Sequence, residues 1–310
     1  MLASERPRAS TYRLFGLNLS SEIDLAGLAP PVEAGAPDVE IAFGLIASGE
    51  DPPGYSATAE GTLLSVAKVG RYLIREGRHI VIDPAPGASE RNLRLFLLGS
   101  AIGALLHQRG LLPLHANAIN IGGRAVAFSG HSGAGKSTIA AWFHDRGYPI
   151  LADDVCVIGF DDAGRALAYP GIPRLRLWRE ALEATGRDAG AYDRSFDDQE
   201  KYDVPTLSGV RLEPLPLTAI YLLRKADDKA GGGAAIDRLT GVDSVETLIS
   251  NTYRGGYLRT IGRTGEHLAA CLRVARAVPV FCARRQWGFE RFEEQARQLH
   301  DHACAQPPPG

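Results

Sequence analysis

Over the first ninety positions apolar and polar residues alternate in short runs, the period of half-buried strands. Segments 12–19 (YRLFGLNL), 38–45 (DVEIAFGL), 62–69 (TLLSVAKV), 71–77 (RYLIREG) and 78–84 (RHIVIDP) each read as a strand. Pro30-Pro31, Pro52-Pro53-Gly54 and Pro84-Ala85-Pro86-Gly87 punctuate them. The period changes at Glu90. Leu93, Phe96, Leu97, Ile102, Leu105 and Leu106 recur at helical spacing as far as Gly110, which predicts a largely buried helix with a glycine stop. Two strands, HANAINI and RAVAFSG, then flank Gly122-Gly123, and a glycine-rich loop, the helix STIAAWFHDRG and the strand YPILADD follow. Strand, loop, helix, strand is the βαβ order of an α/β core.

Beyond Asp154, VCVIGFDDAGRALAYPG predicts a hairpin turning at 161–164, and RLRLWREALEATG predicts a helix. The polar stretch 188–203 reads as a mobile loop, LTAIYLLRKA as a strand, and the acidic, glycine-rich 227–235 as a surface turn. SVETLISNTYR, EHLAACLRVARAV and FERFEEQARQLHDHA predict helices, with VPVFCARR a strand between the last two and a disordered tail at 306–310. There is no internal repeat. The expected organisation is an α/β protein with a small β-rich N-terminal domain over 1–90 and a catalytic domain over 91–305.

Composition narrows the function classes. The 310 residues are 45% hydrophobic and 23% charged, the balance of a soluble globular chain. A net charge of −2 gives no basic excess for nucleic acid or an anionic membrane, so neither is expected as a partner. Cys156, Cys271, Cys282 and Cys304 show neither metal-ligand spacing nor a disulfide framework. With no signal-peptide pattern and no apolar run long enough to span a bilayer, the expectation is a cytoplasmic protein.

The chemistry concentrates between 115 and 154. GHSGAGKS matches G-x-x-x-x-G-K-[ST] and makes Gly130, Ser132, Gly133, Ala134, Gly135, Lys136, Ser137 and Thr138 a candidate phosphate-binding loop. Glycines let successive backbone N–H groups face inward as an anion nest, and the helix that follows adds its positive end. Lys136 would reach the β- and γ-phosphates, and Ser137 would ligate magnesium. Asp153 and Asp154 close an apolar strand, where a P-loop enzyme keeps its magnesium carboxylate. One can hold metal while the other accepts a proton from an attacking hydroxyl, Asp153 being favoured as base and Asp154 for the metal. The bland alternative is a solvated Asp-Asp turn. His115, at a strand start, reads by itself as a structural histidine. Lys201 reads first as a surface lysine, with reach to a phosphate as the alternative. Arg254 is either a charge-neutralising arginine or a helix cap. His131 faces solvent or nucleotide without an assigned role. Tyr55, Tyr72, Trp142 and Trp178 read as core or interface aromatics.

Residues 114–155, with their histidine, apolar hairpin, P-loop, short helix ending in Arg-Gly and apolar-Ala-Asp-Asp, resemble the core of HPr kinase/phosphorylase. That is a bacterial serine kinase related in fold to phosphoenolpyruvate carboxykinase. The resemblance implies ATP and Mg2+ as cofactors and a functional His115. YPGIPRLRLW falls where that family has its signature arginine segment but lacks its Glu-x-Arg-Gly-x-Gly-Ile pattern, so Arg174 and Arg176 become candidate phosphate-stabilising arginines. The opening Y-x-L-F-G-L-N-L-S-S-E-I-D-L and the later NTYRGGYL are similar to a divergent branch that phosphorylates serine on lasso-peptide precursors. The implied function is an ATP- and Mg-dependent serine kinase acting on a peptide or small-protein acceptor; the N-terminal domain, which carries no catalytic motif, is the candidate for substrate recognition. A bifunctional kinase/phosphorylase and a nucleotide-binding regulatory module remain alternatives, and so does a homo-oligomer.

Overall fold

The computed structural model describes residues 9–307 except 27, 30, 34, 48, 50, 51, 173, 196–199, 207–211 and 227–234. The surface turn expected at 227–235 (all but its last residue), four positions of the stretch 188–203, and 308–310 of the tail lie outside these residues.

Among the described residues the first ninety positions form one seven-stranded sheet. Its strands are β1 (Ser10–Leu14), β2 (Leu17–Ser21), β3 (Val39–Phe43), β4 (Gly54–Thr58), β5 (Gly61–Val66), β6 (Gly70–Arg75) and β7 (His79–Pro84). Their spatial order is β1-β2-β3-β7-β6-β5-β4. The segment expected as one strand over 12–19 is an antiparallel pair, because Phe15 and Gly16 adopt left-handed φ of 53° and 75° and reverse the chain. The predicted helix follows as α1 (Glu90–Phe96), a π turn (Leu97–Ala101) and α2 (Ile102–Gln108), and Gly110 with φ 73° stops it. Leu93, Leu97, Ile102 and Leu105 share one buried cluster with Ile41, Tyr72 and Ile80 of the sheet and with Val157 and Ile172 beyond it. The Tyr55 and Tyr72 hydroxyls donate to the Ser100 and Leu93 carbonyls at 2.9 and 3.0 Å, tying the sheet to that helix.

The second sheet carries the candidate site. Its first members are β8 (Leu112–Leu114), β9 (Ala116–Ile121), β10 (Arg124–Ser129), β11 (Ile150–Ala152), β12 (Cys156–Phe160) and β13 (Ala166–Tyr169), with α3 (Lys136–His144) after β10. β9 lies between β10 and β11 and runs antiparallel to both, so β10 and β11 are parallel across it. Next come β14 (Arg174–Trp178), α4 (Arg179–Ala184), β15 (Asp193–Arg194) and β16 (Lys201–Pro205), whose strands form a small separate sheet in the order β14-β16-β15. Two expectations change here. RLRLW is strand rather than helix because its apolar residues alternate: Leu175 and Leu177 are buried on one face and the arginines take the other. Parts of 188–203 are strand rather than loop, since Lys201 onward pairs residue for residue with β14.

The chain then returns as β17 (Leu215–Lys225), β18 (Ala235–Leu239), α5 (Gly241–Ser250), α6 (Tyr257–Thr260), α7 (Thr264–Ala277), β19 (Val280–Arg285) and α8 (Phe292–Cys304). β17 runs parallel to β10 on one side and to β19 on the other. Phe128, Tyr221 and Leu223 face Phe143 and Trp142 of α3 and Leu299 of α8, whereas Ala127 and Ile220 face Leu248 of α5 and Val274 of α7. The sheet is thus covered on both faces, and the loops that follow its parallel strands open at one edge. No helix among the described residues is long and apolar enough to cross a membrane.

Leu97 is fully buried at the junction of the first sheet and the helical run. Leu97→Ala is expected to cost about 2–5 kcal/mol, read as a lower midpoint of a single cooperative transition in urea. Two separated transitions, with only one shifted, would show that the two sheets unfold independently.

Candidate functional site

The loop between β10 and α3 is built by three glycines with positive φ: Gly130 at 148°, Gly133 at 82° and Gly135 at 85°. A Cβ at Gly130 would sit 2.9 Å from the Leu223 carbonyl oxygen, and one at Gly135 would overlap the Arg285 guanidinium. Arg285, the last residue of β19, is 4% exposed and donates to the Ala134 carbonyl at 2.8 Å, so a cation from two strands away fastens the loop. Gly135 is the residue before α3, and the helix axis therefore begins where the loop curls. The backbone N–H groups of the first turn have no helical partner of their own.

Lys136 stands at the centre. It is 5% exposed, and its Nζ donates to the Gly130 and His131 carbonyls at 2.8 and 3.1 Å. Burial lowers its pKa to about 8, and the carboxylates of Asp154 and Asp153 oppose that shift. Opposite it, Asp153 is 6% exposed, accepts the Arg176 backbone N–H at 2.7 Å, and lies 3.4 Å from the Ser137 hydroxyl. Burial first, and the neighbouring Asp154 charge second, push Asp153 up to about 7. Asp154 adopts φ 63°, in the left-handed region that few non-glycine residues take. Its Oδ2 meets Arg176 Nη1 at 3.0 Å and Lys201 Nζ at 3.4 Å. Burial works against the charge on Asp154, but Lys201 and Arg176 hold it well below the ordinary carboxylate range. Both cations therefore side with Asp154, and among the described residues Asp153 keeps a backbone donor and a hydroxyl.

His115 completes the group. Its Nδ1 lies 3.1 Å from the Asp154 carbonyl oxygen, so Nδ1 carries the proton and Nε2 keeps a lone pair. Burial and Lys136 lower its pKa, which keeps the ring neutral near pH 7. The His115 carbonyl accepts the Ser129 hydroxyl at 3.0 Å, and its backbone N–H donates to Asn251 at 2.8 Å, locking the residue between β10 and the end of α5.

Most of the residues singled out in the sequence thus meet, with three adjustments. Asp153, not Asp154, is the carboxylate beside Ser137. Arg174 lies on the same strand face as Arg176 but is spent on Asp203 at 2.6 Å, and Arg176 is the arginine that reaches the carboxylate pair. Lys201, read first as a surface lysine, is a direct partner of Asp154 because β14–β16 pairing brings it opposite Trp178. Arg254, with φ 55°, borders a 390 Å³ cavity that also touches His115, Asp154, Arg176, Lys201 and Tyr253. A second cavity of 120 Å³ runs along Ser132, Gly133, Lys136 and Ser137 to Trp178. His115, Asp154 and Lys201 line both. Tyr55, Tyr72 and Trp142 are largely buried core side chains, while Trp178 is 42% exposed.

Two buried groups escaped the sequence reading. Asn117 on β9 is 0% exposed, and neither of its amide atoms has a hydrogen-bond partner among the described residues. The signal was present, since Asn117 interrupts the apolar phase set by Ile119 and Ile121. Arg285 carried no such signal, because only the order of the strands brings it to Ala134. Among the described residues no group of three or more His, Cys, Asp and Glu side chains gathers as a metal cage.

Gly135→Ala is expected to lower stability by about 1–3 kcal/mol through its left-handed backbone, with an added clash against Arg285. In a double-mutant cycle with Arg285→Ala, thermal unfolding should return part of that loss. Strict additivity would show that the two positions do not meet.

No family model matches the chain, and no curated protein matches it either. Among solved structures the chain is similar to the HPr(Ser) kinase/phosphatase from Coxiella burnetii, at 13% sequence identity and a TM-score of 0.33, over 62% of this chain and 90% of that one.

Proposed function

We propose that this chain is a kinase that transfers the γ-phosphoryl group of a nucleoside triphosphate to a serine hydroxyl of a peptide or small protein. The observation that carries the reading is a buried carboxylate pair at the mouth of a glycine loop that holds Lys136, with Arg176 and Lys201 paired to Asp154 and Asp153 beside Ser137. A binding switch needs a loop and a metal carboxylate; it does not need a second carboxylate held ionised in a space shared by two cavities.

The loop from Gly130 to Thr138 takes the phosphates, with Lys136 moving from loop carbonyls to phosphate oxygens. Ser137 and Asp153 would hold a magnesium ion: both are hard oxygen donors, and they lie 3.4 Å apart. Among the described residues Asp153 also has no direct cationic side-chain partner, while Asp154 has two. Bound there, magnesium would neutralise charge developing on the transferred phosphoryl group.

Asp154 then orients the acceptor hydroxyl and receives its proton. Its roles and those of Asp153 run opposite to the order favoured from sequence. A carboxylate of low pKa is a weak base, but phosphoryl transfer passes through a loose transition state in which the hydroxyl proton leaves late, so positioning matters more than basicity. Arg176 and Lys201 sit where charge on the transferred group needs neutralising, and Arg254 borders the larger cavity, which suits the acceptor. The N-terminal sheet, with no chemical cluster of its own, is the proposed acceptor-recognition domain, and a lasso-peptide precursor is the acceptor class that the sequence resemblance favours.

Mass spectrometry of HPr and of a lasso-precursor peptide, after incubation with the protein, ATP and magnesium, tests this reading. One phosphate on a serine is expected, with transfer reduced at least about 100-fold in Lys136→Ala, Asp153→Asn and Asp154→Asn. Asp153→Asn should also raise the magnesium concentration needed for half-maximal nucleotide binding, whereas Asp154→Asn should leave it unchanged. Tight nucleotide binding with no transfer to any serine peptide would sink the kinase reading in favour of a nucleotide-gated switch.

A further inference from the structure

Strands β10, β17 and β19 end at the same edge of the sheet, because the three are parallel. In open α/β sheets a ligand lies across the carboxyl ends of such strands. On the β11 side of the glycine loop stand Asp153, Asp154 and Lys201, the transfer end of the site. On the opposite side, β19 delivers Arg285, whose guanidinium holds the Ala134 carbonyl at 2.8 Å. Two residues further on, Trp287 is 41% exposed, and its ring centre lies 5.2 Å from that of His131, a residue of the loop itself. Phe289, 51% exposed, follows at once and approaches Phe292 at 6.2 Å. An exposed indole set against the phosphate loop, just past the carboxyl end of β19, is an aromatic surface open to a flat partner.

We infer that Trp287, with His131 at its edge, is the stacking platform for the base of the nucleoside triphosphate. The inference rests on the phosphate-loop reading above and adds the far end of the same ligand. A triphosphate seated in the loop has its γ end at Asp154 and its nucleoside on the other side, within reach of Trp287. The competing aromatic is Trp178. It borders the small cavity, with Lys201 Nζ 5.9 Å from its ring centre, so a base stacked there would lie beside the cation that pairs with Asp154. The platform offers ring faces, and the neighbouring cation Arg285 is committed to the loop. Stacking without edge readout tolerates either purine, so ATP and GTP should bind alike.

Isothermal titration of the full chain with Mg-ATP, Mg-GTP and Mg-tripolyphosphate tests this. Trp287→Ala should weaken both nucleotides by about tenfold or more and leave tripolyphosphate unchanged, while Trp287→Phe should keep most of the affinity. Equal binding of all three ligands by wild type and Trp287→Ala would overturn the platform alone. So would a loss of nucleotide affinity in Trp178→Ala with Trp287→Ala unaffected. If wild type binds none of the three, the phosphate-loop reading fails and the platform falls with it.

Discussion

Two adjacent carboxylates buried at the end of one short strand repel each other, and the site is organised around resolving that repulsion. Asp154 takes a left-handed backbone. Arg176 and Lys201 pair with Asp154, while Asp153 receives a backbone N–H and the Ser137 hydroxyl. The result is one carboxylate held firmly ionised and another pushed up to about 7. Environments that drive like groups apart in this way divide labour between them.

Supplying those two cations requires the small β14-β16-β15 sheet. Alternation along β14 puts Arg174 and Arg176 on one face, and pairing with β16 brings Lys201 to the same end. Asp203, on β16, holds Arg174 at 2.6 Å and lies 3.7 Å from Arg176. A second carboxylate therefore steadies the arginine pair from behind. Arg174, Arg176 and Lys201 each have a carboxylate within 4 Å, which is the condition for tolerating charge in a low-dielectric interior.

The glycine loop, the strand before it and the helix after it were legible from sequence because their determinants are contiguous. Positive φ at Gly130, Gly133 and Gly135 and the helix start at Lys136 need no distant partner to be anticipated. The β9–β10 hairpin and the long central strand β17 followed from composition in the same way. RLRLW was misread as helix because five residues with two arginines fit either period, and burial of Leu175 and Leu177 decides between them. Strand β16 was hidden by the polar stretch that leads into it, since a strand paired at the rim of a site carries charged residues for reasons other than its own propensity.

Local sequence was enough for the presence of a phosphate-binding pattern, the paired aspartates and the strand-to-helix order, because each depends on neighbours along the chain. The fold alone decided which carboxylate stands beside Ser137, which arginine reaches the pair, that Lys201 is a partner of Asp154, and that Arg285 and Trp287 flank the loop. Those facts depend on strand order and on cross-strand register, and neither has a signature within the segments concerned. Charge pairing acts over a few ångströms in space regardless of separation along the chain, so the electrostatic division of the site appears only once the sheets are assembled.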